Sequence, residues 1–204
     1  MNISFAITCH NEGNDLERLL LQISKVATEQ DEIIVLDDYS TDFETCAILA
    51  QWSDRVNIEQ HALNDDFAEH KNYLNSLCTK DWILQLDADE FLGSNLEKYV
   101  HYLVDHNETD LMWIPRVNKV EGITQQDLIN YRWRVDEEGR IMWPDYQGRL
   151  YRNKEELQWI GRVHERIEGN QNFTHLPLEN DWAIHHYKTI EKQRQQNEFY
   201  NELS

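Results

Sequence analysis

Basic residues are scarce in this chain: 19 Lys and Arg stand against 38 Asp and Glu, a formal charge of −19 over 204 residues. So acidic a surface repels a nucleic-acid backbone, which is normally met by a basic patch, so nucleic acid is not an expected partner. Cysteine is rarer still. Cys9, Cys46 and Cys78 are an odd count without paired spacing, which argues against a disulfide framework and suits a reducing compartment. No apolar run approaches the roughly 18 residues that would suggest a membrane span. Residues 1–7 (Met-Asn-Ile-Ser-Phe-Ala-Ile) lack the basic stretch and long apolar core of a secretory signal. The expectation is a cytoplasmic chain without a membrane span. Glycine is also sparse, seven in all, with no early glycine-rich, arginine-bearing phosphate loop of the kind that nucleotidyl transfer to a sugar phosphate would need.

What the chain does have is apolar bulk. Seven Trp, nine Tyr and six Phe within 40% hydrophobic residues argue for a packed core, and the length suits one domain. In the first half, strand and helix patterns alternate. Ile3 to Thr8 reads as a strand, and Leu16, Leu19, Leu20 and Ile23 follow at helical spacing. Glu32 to Leu36 is a second strand, after which Ser40 or Thr41 is placed to cap a helix carrying Cys46, Ile48, Leu49 and Trp52. Arg55 to Gln60 is a weaker strand, Phe67 to Leu77 a helix and Trp82 to Leu86 a fourth strand. This order predicts an α/β fold with a mostly parallel sheet covered on both faces. Short strands are expected over 111–117, 131–135, 140–143, 149–152, 162–167 and 183–187, with a polar terminal helix from Ile190 to Leu203.

Ligands of such sheets bind beyond the carboxyl ends of the strands. Three of those ends carry polar clusters: Thr8 to Asn11, Asp37-Asp38 and Asp87-Ala88-Asp89. The last is the most informative. If the strand ran on through it, Asp87 and Asp89 would share a face and repel each other. A hard divalent cation that takes its remaining ligands from phosphate oxygens would satisfy both. A solvated acidic turn is the plainer reading of such a motif alone; the convergence of three polar strand ends favours a functional crevice.

Four blocks taken in order resemble glycosyltransferase family 2, the inverting nucleotide-sugar-dependent enzymes with the GT-A fold, in particular small bacterial members that extend lipopolysaccharide cores. They are Ile7-Thr8-Cys9-His10-Asn11-Glu12, Val35-Leu36-Asp37-Asp38-Tyr39-Ser40-Thr41-Asp42, Phe67-Ala68-Glu69-His70-Lys71-Asn72 and Trp82 through Glu90. Val163-His164-Glu165 and Ile184-His185-His186-Tyr187 fit the C-terminal part of the pattern. Tyr39 stands where Gly is commoner and Lys71 where Arg is commoner; Lys71 keeps the charge but loses the bidentate fork. The resemblance implies a single GT-A domain over residues 1–204, with 1–110 the nucleotide-sugar half and 111–204 the acceptor half. It implies a hexosyltransferase-type enzyme moving a sugar from a UDP-sugar donor to the hydroxyl of a glycan or other acceptor, with Mn2+ or Mg2+.

By the same resemblance, Asp89 is a direct metal ligand and Asp87 touches the metal, its waters or the donor ribose. His186 completes the site, with His185 the neighbour to be distinguished from it. Thr8, His10, Asn11, Glu12, Asp37, Asp38, Lys71 and Ala88 line the nucleotide, and Asp38 accepts from the imide of the base. A general base must take the acceptor's proton as it attacks. Glu165 is the first candidate and Asp145, beside Trp143-Pro144, the reserve. Two rival readings stand beside this one: a catalytically idle nucleotide-sugar binder, and a metal-dependent phosphohydrolase that uses an Asp-x-Asp strand end.

Overall fold

A computed structural model describes residues 1–203. β1 (Ile3–Cys9) leads into α1 (Gly13–Val26), β2 (Glu32–Asp37), α2 (Phe43–Trp52), β3 (Asn57–Gln60), α3 (Phe67–Leu77) and β4 (Trp82–Asp87). A short β5 (Glu90–Leu92) precedes α4 (Ser94–Asp105), β6 (Leu111–Glu121), α5 (Gln125–Tyr131) and β7 (Ile141–Arg152). The chain continues through β8 (Gln158–Ile160), β9 (Arg166–Glu168), β10 (Phe173–His175), a 3-10 turn at Asn180–Trp182, β11 (Ile184–Thr189) and α6 (Ile190–Leu203).

The main sheet runs β3-β2-β1-β4-β7-β6-β11-β5, with β10 beside β6. β1 pairs in parallel with both β2 and β4, so the chain reverses direction of travel across the sheet there, the kind of point where α/β folds bind ligands. β7 is antiparallel to β4 and β6, which joins the parallel half to the antiparallel half. The β1 alternation divides the core. Ile3, Phe5 and Ile7 pack under α1, α2 and α4, while Ala6 faces the side of α3 with Leu36, Leu74 and Ile83. Both faces of β1 are therefore buried, as its largely apolar run requires, and the one buried polar residue among them, Ser4, donates to Glu32.

The α/β architecture, the first four strands and helices α3 and α6 match expectation. Five local readings do not. Asp42, not Ser40 or Thr41, caps α2, its carboxylate accepting from Thr45 N at 2.8 Å. An additional helix, α4, buries Leu96, Val100 and Val104 at spacings of four. Residues 131–135 are not a strand, because α5 ends in that stretch with Arg132 in the left-handed region; a single bridge from Val135 to Ile141 remains. The two short strands expected at 140–143 and 149–152 are the ends of one long β7. The strand expected over 162–167 shrinks to β9, and Val163-His164-Glu165 is loop, with His164 at φ 57°.

Among the described residues, no helix is long and apolar enough to cross a membrane. Cys9 and Cys78 are buried and Cys46 is exposed. Burial pushes both buried thiols up to about 12, with the charge of Asp37 adding to the effect at Cys9. A thiolate is the reactive form. A maleimide at pH 8 is therefore expected to modify the native protein once, at Cys46, and three times after denaturation. Peptide mass spectrometry reads the position, and rapid labelling of Cys9 would contradict the packing described.

Candidate active site

The sheet register brings the three polar strand ends together. Cys9 lies beside Asp37, and Thr8 beside Asp87, on adjacent strands. They open into a crevice of about 620 Å³ over the carboxyl ends of β1, β2 and β4, closed on the far side by β6, β7, the Glu165 loop and α6. Thr8, His10, Glu12, Asp38, Lys71, Asp87, Ala88, Asp89, Asp145, Glu165 and His186 all line it. Asn11 and Asp37, expected at the nucleotide, are not among the residues that line it. Asn11 sits at φ 54° and its Oδ1 accepts from Thr41 N and Asp42 N, while Asp37 is buried and accepts from Ser40 N and Gln60 Nε2. Both brace the loops that follow β1 and β2.

The Asp-x-Asp pair is split. β4 ends at Asp87, Ala88 and Asp89 form a turn, and β5 begins at Glu90, so strand alternation does not apply across the motif. The turn is pinned by Ala88 N donating to Thr8 O at 3.0 Å and by Asp87 N donating to Glu90 Oε2 at 3.0 Å. Asp87 then faces inward to cations, 2.8 Å from Arg149 Nη2 and 3.4 Å from Lys71 Nζ. Burial opposes its ionisation, yet Arg149 and then Lys71 outweigh that and hold it well below the usual carboxylate range. Behind it, Arg149 also meets the wholly buried Glu90 at 3.0 Å, and Arg116 approaches the same carboxylate at 3.5 Å. Burial nevertheless leaves Glu90 with a raised pKa.

Asp89 faces the other way, to the C-terminal half. β5 pairs antiparallel with β11, placing His186 opposite Glu90, one residue from Asp89. His186 Nε2 stands 3.1 Å from Asp89 Oδ2, and its Nδ1 is 3.0 Å from Asn118 Oδ1. His185 points to the other side of the strand, stacked on Phe91 at 4.9 Å between centroids and bonded to Asn180 O. The two histidines are thus told apart by alternation, and His186 is the one at the carboxylate. Despite burial, His186 and then Lys192 hold Asp89 below its ordinary value.

These residues fit a divalent cation. Adjacent ligands of a small hard cation lie about 3 Å apart, which is the separation of Asp89 Oδ2 and His186 Nε2. Among the described residues no group of three or more His, Cys, Asp or Glu gathers as a closed metal cage. An open pair whose other positions go to phosphate oxygens and water is how Mg2+ and its relatives sit in nucleotide sites.

Across the crevice, Lys71 Nζ donates to Glu165 Oε1 at 2.6 Å and lies 4.8 Å from the Trp159 ring centroid. α3 offers it because Asp66 caps the helix, accepting from Glu69 N at 2.9 Å and directing the first two turns at the crevice. The Glu165 loop is tied to the same helix by Phe67 N donating to Arg162 O. Asp145 on β7 is more fully engaged. Arg116, Asn118 and Gln147 all donate to it, and although burial opposes ionisation, Arg116 keeps its pKa below the ordinary value. Arg116, Lys188 and Lys192 were not singled out from the sequence as site residues. The alternation of Arg116, Asn118 and Val120 along β6, all crevice-lining, was the available signal for the first of them.

An α/β domain with a polar crevice at the strand reversal, an aspartate-histidine pair and a facing carboxylate has the architecture of a GT-A glycosyltransferase. The profile of glycosyl transferase family 2 matches residues 4–159, and the chain belongs to that family. An uncharacterized glycosyltransferase of Rickettsia felis is 35% identical over 96 residues, covering 47% of this chain and 32% of that protein. The SPbeta prophage-derived glycosyltransferase SunS of Bacillus subtilis is 33% identical over 177 residues, covering 86% of this chain and 36% of SunS. The chain thus spans about a third of the length of these relatives. Among solved structures, Staphylococcus aureus TarS 1–349 in complex with UDP-GlcNAc superposes with a TM-score of 0.63 at 16% identity, over 92% of this chain and 59% of that one. Its complex with UDP gives a TM-score of 0.61 at 17% identity, over 93% of this chain and 61% of that one.

Proposed function

We propose that this chain is the donor-binding and catalytic domain of a metal-dependent inverting glycosyltransferase that takes a sugar from a nucleoside diphosphate, UDP-sugar being favoured, and gives it to an acceptor hydroxyl. The observation that carries the reading is the facing of two unlike sites across one crevice: Asp89 with His186 on the donor side and Glu165 on the other. Charge supports the need for a cation. Six carboxylates line the crevice (Glu12, Asp38, Asp87, Asp89, Asp145, Glu165) against Lys71, Arg116, Arg149 and Lys188, with Lys192 reaching Asp89 and Glu12 from its edge, so an anionic diphosphate would still meet a formal excess of one negative charge. A bound divalent ion supplies Lewis-acid stabilisation of the departing diphosphate. Binding of UDP and UDP-GlcNAc by the structurally similar TarS supports a uridine donor.

The residues divide the remaining work. The β1 and β2 ends, with His10 Nδ1 3.3 Å from Asp38 Oδ2, form the wall for the nucleoside, and Asp38 is the acceptor group offered to the base imide. Asp87, locked to Arg149, fixes the turn that aims Asp89. Glu165, oriented by Lys71, removes the acceptor's proton; a single displacement inverts the anomeric centre. Asp145 is the poorer base because its oxygens already serve three donors.

Calorimetric titration with UDP, GDP, CDP and TDP, each with and without Mn2+, tests the donor side. Tight binding of UDP only with metal is expected, and no metal-linked binding of any diphosphate would overturn the reading. Glu165→Gln is expected to lower kcat about 10²–10⁴-fold with UDP affinity unchanged. Full activity in that variant would move the base to Asp145, tested by Asp145→Asn. Nucleotide binding without turnover of any acceptor by the wild type would instead support the idle binder.

A further inference from the structure

The Asp89 carboxylate already has a cation on it. Lys192, in the first turn of α6, places Nζ 3.1 Å from Asp89 Oδ2, the same oxygen that faces His186 Nε2, and its other contact is Glu12 Oε2. Among the other cations nearby, Arg18 reaches only the main-chain oxygen of Asp89, at 3.4 Å, and Lys188 donates to Gln196. An ammonium and a divalent ion held by the same carboxylate would be like charges in close company, and their repulsion would set one against the other.

We propose that Lys192 is the built-in counter-ion of the metal site: it holds Asp89 until a divalent cation displaces it, weakens metal binding before the donor arrives, and then turns to the donor's diphosphate. This rests on the metal-dependent reading above. The exchange is local. Lys192 follows His186 by six residues, with β11 passing into α6 without a loop, so it stays beside the site when displaced and keeps Glu12 as an anchor. The diphosphate brings the negative charge that the metal has taken away, so metal and nucleotide bind better together than either does alone. Such coupling is reciprocal.

The test is a Mn2+ titration followed by electron paramagnetic resonance, on the wild type, Lys192→Met and Lys192→Arg, each with and without UDP. Lys192→Met is expected to bind Mn2+ about fivefold more tightly than the wild type without nucleotide, the scale of a part-exposed ion pair. It should bind UDP more weakly in saturating Mn2+, while Lys192→Arg stays near the wild type in both. A merely structural lysine would not shift the two affinities in opposite directions. Equal or weaker Mn2+ binding by Lys192→Met, with metal-linked UDP binding intact in the wild type, overturns this inference alone. Absence of Mn2+ binding by every protein, with or without UDP, overturns it together with the metal-dependent reading.

Discussion

Arg149→Met should destabilise the fold by about 3–5 kcal/mol at pH 8, because it removes the central cation of a buried charge cluster and leaves Asp87 to the more distant Lys71 and the buried Glu90 to the more distant Arg116. Arg149 is 2% exposed and bridges Asp87 and Glu90, and its Nη1 donates to the buried Gln85 side chain. Glu90 is wholly buried and already has a raised pKa from burial even with the guanidinium in place. An acid whose folded pKa lies above its unfolded value binds more protons in the native state, so it detracts from stability as pH rises through that window. Without Arg149, both carboxylates titrate higher in the folded state. The deficit should therefore shrink as pH falls from 8 to 5. Urea denaturation of wild type and variant at the two pH values measures it, and a deficit below about 1 kcal/mol, or one independent of pH, would contradict the cluster's role. Arg149→Lys, which keeps charge but not the fork, should fall between.

Asp89→Asn is expected to shift the balance: a smaller loss of stability, from its ion pairs with His186 and Lys192, and a loss of transfer of at least about 10²–10³-fold, the scale set by losing a preorganised electrostatic group. Its carboxylate faces the crevice, not the core cluster, and Lys192 can keep Glu12 when Asp89 is neutralised. Isothermal titration should find UDP binding weakened and no longer responsive to Mn2+. Retention of the metal response would take Asp89 out of the metal site. The two variants together test the proposed division of one motif: an acid tied to the fold through Arg149, and an acid two residues later that faces the crevice.

That division was hidden in the sequence, which shows two aspartates of the same type with one residue between them. The strand runs were legible because strands buried on both faces are written as largely apolar runs, as in Ile3 to Thr8 and Trp82 to Leu86, each holding one buried polar residue, Ser4 and Gln85. The bounds of α3 and α6 were equally plain. The spacing of four between Leu96, Val100 and Val104 also carries a helical signal, that of α4, directly after the acidic block. What composition and spacing could not supply were partners distant along the chain. Arg149 reaches Asp87 across 62 positions, Lys71 reaches Glu165 across 94 and Lys192 reaches Asp89 across 103. Each is a lone charged residue until the sheet order is known. The site blocks were recognisable as a set, yet Asp37 is buried inside one of them and the exposed Asn11 has its Oδ1 engaged by Thr41 N and Asp42 N, since sharing a block does not give residues the same partners.

The direct passage of β11 into α6 has a mechanical consequence. Ile190, 2% exposed and packed with Val120 and Ile141, is the fulcrum of the helix. At 1.5 Å per residue, Lys192 rides about 3 Å along the lever and Tyr200 about 15 Å. A 10° tilt about Ile190 moves the former by about 0.5 Å and the latter by about 2.6 Å. The far end, where Phe67 meets Phe199 and Tyr200 edge-on, can thus widen or narrow the crevice mouth while the Lys192–Asp89 corner hardly moves.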